Sequence, residues 1–391
     1  MEKQLFEGIR VVDITLYYTG PLTTKVLSDG GAEVIKIETR SQMGSAGGGR
    51  DSVTNTSKLA ITLNFASPKG LELAHRLIAQ ADIVVENHAA GTLTRRGLGY
   101  EDLKKVKPDI IMLSTCMQGQ TGPYANHANF GMTLAALSGF NQIAGWPDRE
   151  PAGLGPFTDW IAPRYNVIAI LAALEHRRRT GKGLYLDMSQ NEGGIQFMAP
   201  LVLDYAVNKR VANRMGNKYP NAAPHNAYRC IGEDRWCAIA VFTDEEWRSF
   251  CQVIGNPALV EDPRFATLLA RKENEEKLDN LVNEWTVSHT PVAVMTLMQE
   301  AGVPAGMVET AEDEMDHDPQ LKHRNTFHEL DHPEREGKYR VLAGPHFLLS
   351  KTPYELQRGP LLGEHNDHVY KGVLGMSDEE VAELVNEGVI N

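Results

Sequence analysis

The chain has 391 residues, 42% of them hydrophobic, and a net charge of −12. That length suits about two to three domains with a large core, and the acidic balance argues against nucleic-acid binding. No apolar run is long enough to cross a bilayer, and the N-terminus MEKQLFEGIRVVDI carries no apolar signal segment. Cys116, Cys230, Cys237 and Cys251 form no C-x-x-C pair and no metal spacing with histidine. They read as reduced, mostly buried thiols of a cytoplasmic protein.

Ile9 to Ile14 reads as a buried first strand, followed by the turn Tyr17 to Pro21 and a helix that stops at Gly30-Gly31. Val34 to Ile37 is a second strand, which makes a βαβ unit without the G-x-G-x-x-G dinucleotide fingerprint. Gly44 to Asp51 is a glycine-rich loop, either a linker or a lid. Leu59 to Leu63, Asp82 to Glu86 and Ile110 to Ser114 are further strands, separated by helices that begin at Pro68 and after His88. This alternation predicts a parallel sheet covered by helices on both faces. Ligands on such sheets bind beyond the carboxyl ends of the strands. Tyr17, Tyr18, Thr39, Arg40, Asn87, His88, Cys116 and Met117 lie at those ends. Arg40 and Arg95 follow predicted strand ends and are the better phosphate candidates.

Met132 to Phe140 is a helix with the small residues Ala135, Ala136 and Ser138, suited to close packing. The stretch from Gly153 to Gln190 carries a lone acid, Asp159, at the end of a Gly/Pro-rich loop. An apolar run from Trp160 to Leu174 then predicts a mostly buried helix, closed by His176 to Arg179 and the Thr180–Gly183 turn. Asp159 has two compatible readings. It is a helix N-cap, or it is a nucleophile, kept ionised by a low pKa near backbone N–H groups that hold an oxyanion. Asn191 to Val207 reads as one long helix, and Asn213 to Asn226 as a boundary loop. Beyond it come a strand over Arg235 to Val241 and helices over Glu245–Ile254, Glu273–Trp285 and Pro291–Ala301. Val303 to Val308 is another strand, and together these form a smaller α+β domain. Strand-like pieces between Asp316 and Val341 return toward the first domain. The last helix runs from Ser377 to Glu387, with Ser377 as cap and Glu380 in the capping-box position.

Other chemistries lack their motifs. There is no H-E-x-x-H, no G-x-S-x-G and no P-loop, and His317, His323, His328 and His332 read as solvated, so no metal is expected. Arg177 to Arg179 read as an ordinary basic helix end.

Several segments, taken in order, carry a resemblance. They are GIRVVDIT with Gly20-Pro21, AEVIKIE at Ala32–Glu38 and ADIVVEN at Ala81–Asn87. The Gly155–Asp159 loop with ILAALEHRRRTGKG, AGVPAG at Ala301–Gly306 and GPLLGEH at Gly359–His365 complete the set. The chain resembles the class III CoA-transferases, the family of formyl-CoA:oxalate and carnitine CoA-transferases, over essentially its whole length.

The resemblance implies an α/β fold with a Rossmann-like large domain, a smaller α+β domain and an interlocked dimer. The large domain would comprise residues 1–225, with the catalytic acid, and the C-terminal return 326–391. The small domain would be 226–325. The co-substrate is coenzyme A, carried as acyl-CoA. The family's catalytic Asp falls on Asp159. It forms a mixed anhydride with the donor acyl group, then an aspartyl-CoA thioester, and a second anhydride with the acceptor acid. CoA-binding positions fall on Tyr18, Thr19, Arg40, Leu63, Asn87, His88 and Arg95. The oxalate enzyme has Gln-Ala where this chain has Tyr18-Thr19, and a Lys where it has Asn129. It also carries a glycine-rich covering loop that has no counterpart in Asn213–Asn226.

A larger, aromatic acid therefore fits better than oxalate. The benzylsuccinate CoA-transferase subgroup, with succinyl-CoA as donor and two unlike subunits, is the preferred one, with this chain as its catalytic subunit. The partner is thus a second copy or a related family subunit. The first alternative is an α-methylacyl-CoA racemase of the same fold, whose His–Asp pair would fall near Phe130 and Gly131, with His127 three residues early. The second is a non-catalytic subunit of a heteromeric CoA-transferase.

Overall fold

The computed structural model describes residues 4–39, 53–127, 129–334, 336–342 and 347–390. Arg40 and the Gly44–Asp51 loop lie outside the described residues. The chain forms two compact units. One comprises residues 1–140, 153–211 and 323–391, and the other comprises 141–152 and 212–322.

The first unit is built on alternating strands and helices. These are β1 (Arg10–Ile14), α1 (Thr19–Asp29), β2 (Glu33–Glu38), β3 (Leu59–Thr62), α2 (Pro68–Ile78), β4 (Ile83–Glu86), α3 (Thr92–Arg95), α4 (Tyr100–Val106) and β5 (Ile111–Cys116). There follow α5 (Gly131–Leu137), α6 (Phe140–Ile143), of which only Phe140 belongs to this unit, α7 (Phe157–Thr180), β6 (Tyr185–Ser189), α8 (Gln190–Phe197) and α9 (Ala199–Asn208). All five strand pairings are parallel, and the order is β3-β2-β1-β4-β5-β6. Chain order therefore reverses between β1 and β4, where both neighbours of β1 leave a crevice at their carboxyl ends.

Strand alternation sorts the core into two layers. Val12, Ile14, Ile35, Ile37, Ile61, Val84 and Met112 pack with Leu73 and Leu77 of α2 and Leu103 of α4. Val11, Val34, Val85, Ile111 and Leu113 pack with Leu27 of α1 and with Ile170 and Ala173 of α7. Helices thus cover both faces, as the strand–helix alternation implied. The sheet also hides charge. Asp13 of β1 is fully buried and bonds Lys58 at 3.0 Å, with Lys36 at 3.8 Å. Burial alone would raise its carboxyl. The two lysines and hydrogen bonds from Thr15 and Thr24 outweigh burial and hold it below the usual carboxylate range.

Two helix readings need correction. The expected single helix from Asn191 to Val207 is two, α8 and α9, broken at Met198. Pro200 stands in the first turn of α9 and supplies no N–H to continue α8. Helix α7 begins at Phe157, after Pro156, so Asp159 lies inside its first turn and is not its cap. At the far end Gly181 takes φ +70°, and its N–H closes on the Arg177 carbonyl at 2.8 Å. Arg177 also holds Asp82 at 2.9 Å, and Arg178 pairs with Glu175.

The second unit carries β7 (His225–Arg229), β8 (Trp236–Ala240), α10 (Asp244–Val253), α11 (Leu268–Glu273), α12 (Glu275–Thr286), α13 (Pro291–Glu300) and β9 (Ala305–Met307). Its antiparallel sheet runs β7-β8-β9. Tyr228, Trp247, Phe250, Leu278, Val294 and Met298 form its core. Strand β7 begins in the last two residues of the expected Asn213–Asn226 boundary loop and runs beyond it. The segment 141–152 belongs to this unit, with Gly216 N–H bonded to the Gly145 carbonyl at 2.8 Å.

The first unit resumes with α14 (Pro319–His323), which straddles the boundary, then the antiparallel pair β10 (Phe327–Asp331) and β11 (Lys338–Leu342), and α15 (Asp378–Asn386). The capping box of α15 has the expected form, with Ser377 and Glu380 bonded reciprocally. All four cysteines are free and buried. Among the described residues no helix is long and apolar enough to cross a membrane, and no group of His, Cys, Asp or Glu is arranged to hold a metal.

Candidate active site

Asp159 stands on the first turn of α7, where α1 and α5 approach it. The Thr19 hydroxyl, on the first residue of α1, donates to its Oδ1 at 3.2 Å. Its Oδ2 faces Gly131, the first residue of α5. A Cβ on Gly131 would lie 2.6 Å from that oxygen and 2.5 Å from Pro156 Cβ. Only glycine lets the two backbones come this close.

The surroundings are largely apolar. Burial raises the Asp159 carboxyl to about 6, against a smaller opposing effect of the Thr19 hydrogen bond. The expected low pKa is therefore overturned. A half-enclosed carboxylate with no cation beside it among the described residues behaves as a stronger base than a solvated aspartate. It remains mostly ionised above neutrality.

Aromatic rings flank the pair. Tyr18 precedes Thr19 and meets Trp160, the neighbour of Asp159, at a ring-centroid distance of 6.1 Å. Tyr17 meets Phe130, the neighbour of Gly131, edge to face at 6.1 Å. Tyr17 holds φ +60°, a left-handed turn uncommon outside glycine. The turn is kept by Asn87, whose amide accepts from Leu16 N–H at 2.7 Å and donates to the Leu16 carbonyl at 2.6 Å.

The expected CoA-binding residues divide accordingly. Tyr18 and Thr19 lie beside Asp159. Asn87 acts on the β1–α1 turn through Leu16. His88 lies two residues past the end of β4, with its backbone N–H donating to Glu86 at 2.8 Å. Arg95 is exposed on α3 and lightly held by the Ala90 carbonyl and Thr92. Leu63 is 1% exposed and packs into the core with Ile61, so it offers almost no surface to a ligand. Phe130, Gly131 and Trp160 were missed as site residues. Gly131 opens the small-residue helix, which was the one signal for close approach. His127 is exposed and packs on Tyr124 at 4.8 Å, away from any bond to Asp159.

The sequence signature of CoA-transferase family III matches residues 6–366. The chain belongs to this family. It is 34% identical to the succinyl-CoA–D-citramalate CoA-transferase of Chloroflexus aurantiacus, over 98% of each chain. It is 30% identical to the human succinyl-CoA:glutarate CoA-transferase, covering 98% of this chain and 90% of that one. The beta subunit of the Chloroflexus aurantiacus succinyl-CoA–L-malate CoA-transferase is 30% identical, over 98% and 97%. A solved CaiB/BaiF family protein from Brucella suis superposes with a TM-score of 0.87 at 31% identity, over 95% of this chain and all of that one. The protein is thus a CoA-transferase, with acyl-CoA and carboxylate substrates.

Proposed function

We propose that the enzyme moves CoA from succinyl-CoA to a carboxylic acid acceptor, with Asp159 as the covalent nucleophile. The observation that carries this reading is the Asp159 carboxylate itself. It is half-buried, its basicity is raised, and its described side-chain partner is one hydroxyl donor.

An Asp159 oxygen attacks the thioester carbonyl, the C–S bond breaks and CoA leaves as thiolate. The product is an aspartyl–succinyl anhydride. The thiolate attacks the aspartyl carbonyl, releasing succinate and leaving aspartyl-CoA. The acceptor carboxylate displaces CoA to form a second anhydride, which the returning thiolate cleaves at the acceptor's carbonyl. Asp159 is regenerated and one acyl activation has moved without net hydrolysis. Desolvation strengthens the nucleophile and the electrostatic stabilisation of each tetrahedral oxyanion.

CoA would lie over the carboxyl ends of β1 and β4 in the Rossmann-like first unit, with Tyr18, Thr19, His88 and Arg95 nearest. Arg40 belongs to the same reading. The rings of Tyr17, Tyr18, Phe130 and Trp160 offer apolar walls, which suit an acceptor with an aryl group, such as benzylsuccinate. The names of the relatives support succinyl-CoA as donor.

The functional unit would be an interlocked dimer, of two copies or with a related subunit. Helix α9 supports this. None of its residues is buried, and Val202, Leu203, Tyr205 and Val207 are all more than half exposed. The free cysteines fit a cytoplasmic setting. No observation favours the racemase alternative, because the group bonded to Asp159 is a hydroxyl and not an imidazole.

The test is to incubate the protein with succinyl-CoA, quench with hydroxylamine and map adducts by mass spectrometry. A hydroxamate on Asp159, absent in Asp159→Asn, is expected. An unlabelled Asp159 with active enzyme would exclude the covalent route.

A further inference from the structure

The α1–α7–β5 interface beneath Asp159 is apolar, formed by Leu27, Leu113, Ile170 and Ala173. A polar cluster of Asn166, Thr23 and Thr115 interrupts it. Asn166 stands two helical turns after Asp159 on the same face of α7 and is fully buried. Its Nδ2 donates to Thr23 Oγ1 of α1 at 3.0 Å and to Thr115 Oγ1 of β5 at 3.0 Å. Thr23 in turn donates to the Thr19 carbonyl at 2.8 Å, and Thr19 is the residue that holds Asp159. Asn166 Oδ1 is buried and has no hydrogen-bond partner among the described residues.

Leucine would fill this space without leaving an orphan oxygen, so general stability does not require the amide. Pro163 lies between the two positions in α7 and carries no N–H, so the helical bond to the Asp159 carbonyl is missing. The turn that bears Asp159 is therefore less firmly set by its own helix. A contact outside the helix must fix its register against α1.

The structure assigns to Asn166 the role of positioning residue, pinning α7 to α1 and β5 so that Thr19 meets Asp159. The assignment rests on Asp159 as the nucleophile, but its test does not depend on turnover. The Asp159 carboxyl is followed by carbon-13 NMR of aspartate-labelled full-length protein, with Asp159→Asn for assignment. The wild-type carboxyl titrates near 6. In Asn166→Leu the Thr19 bond loosens, and the midpoint rises by about half a pH unit or more. Thermal stability stays at or above wild type. Hydroxamate trapping at Asp159 slows about tenfold or more.

Thr23→Val cuts the same chain from α1 and gives the same upward shift, which keeps the test open should Asn166→Leu misfold. Unchanged midpoints in both variants overturn the assignment. An upward shift in the variants, together with a wild-type protein that never forms the hydroxamate, would support the positioning role and remove the nucleophile reading instead.

Discussion

The Thr19 hydroxyl donates a 3.2 Å hydrogen bond to Oδ1 of Asp159, and it is the one effect that pulls this carboxyl back toward the ordinary aspartate range. Burial pushes the other way and prevails, to about 6. Thr19→Val removes the donor and keeps the shape. The acid limb of kcat/KM should then move upward by about one pH unit. Thr19→Ser should stay near wild type. A pH–rate profile of transfer checks both, and an unmoved limb in Thr19→Val would detach the hydroxyl from the nucleophile.

Removing the charge at Asp159 should stabilise the fold. The folded carboxyl is pushed up to about 6, against the ordinary aspartate value of 3.8. The folded state therefore binds the proton more tightly than the unfolded state, and stability falls as pH rises from about 4 through 6. Above that window the ionised form costs at most about 3 kcal/mol. Asp159→Asn should gain a part of this at pH 7.5, and the gain should vanish near pH 4. Denaturant melts at the two values decide it. An N-cap aspartate would show the opposite sign, losing about 0.5–2 kcal/mol.

Gly131→Ala places a methyl 2.6 Å from Asp159 Oδ2 and 2.5 Å from Pro156 Cβ. Either the carboxylate or the loop must move. A displacement near 1 Å at the nucleophile costs about 10²-fold in kcat, and the overpacking costs about 1–3 kcal/mol of stability. Steady-state kinetics with a thermal melt separate the two. Full activity would mean that the slot beside Asp159 tolerates a side chain.

The strands of the sheet were legible because each is a short apolar run closed by turn residues, and their spacing with helices dictated parallel pairing. The depth of the site was not. Gly131 reaches Asp159 from 28 residues upstream, and no local pattern marks that approach. Thr19 reads as a turn residue until its hydroxyl is seen against a carboxylate. Leu63 shares the expected Leu59–Leu63 strand with Ile61, and a two-residue alternation already turns it into the core, although β3 itself closes at Thr62. Asp13 and Lys36 sit in strands that read as apolar, and Lys58 just before a third, since mutual neutralisation across strands leaves no trace in a linear sequence. Asn166 left a trace, one amide on an otherwise apolar helix face seven residues from the acid.

The dimer reading yields the last prediction. Helix α9 has four large residues, Val202, Leu203, Tyr205 and Val207, with exposures of 52 to 69% and no buried side chain. An apolar helix left in water is poorly stabilised, because packing rather than propensity supplies most helical stability. A second chain covering this face would resolve the mismatch. Leu203→Glu with Val207→Glu would then force charge into an apolar contact. If both are central anchors, the dimer dissociation constant should rise by about 30-fold or more. Sedimentation velocity over a concentration series reads this directly, and transfer activity should fall with the fraction of dimer. A wild-type monomer, or a charged variant that assembles as tightly as before, would show that α9 is not the seam.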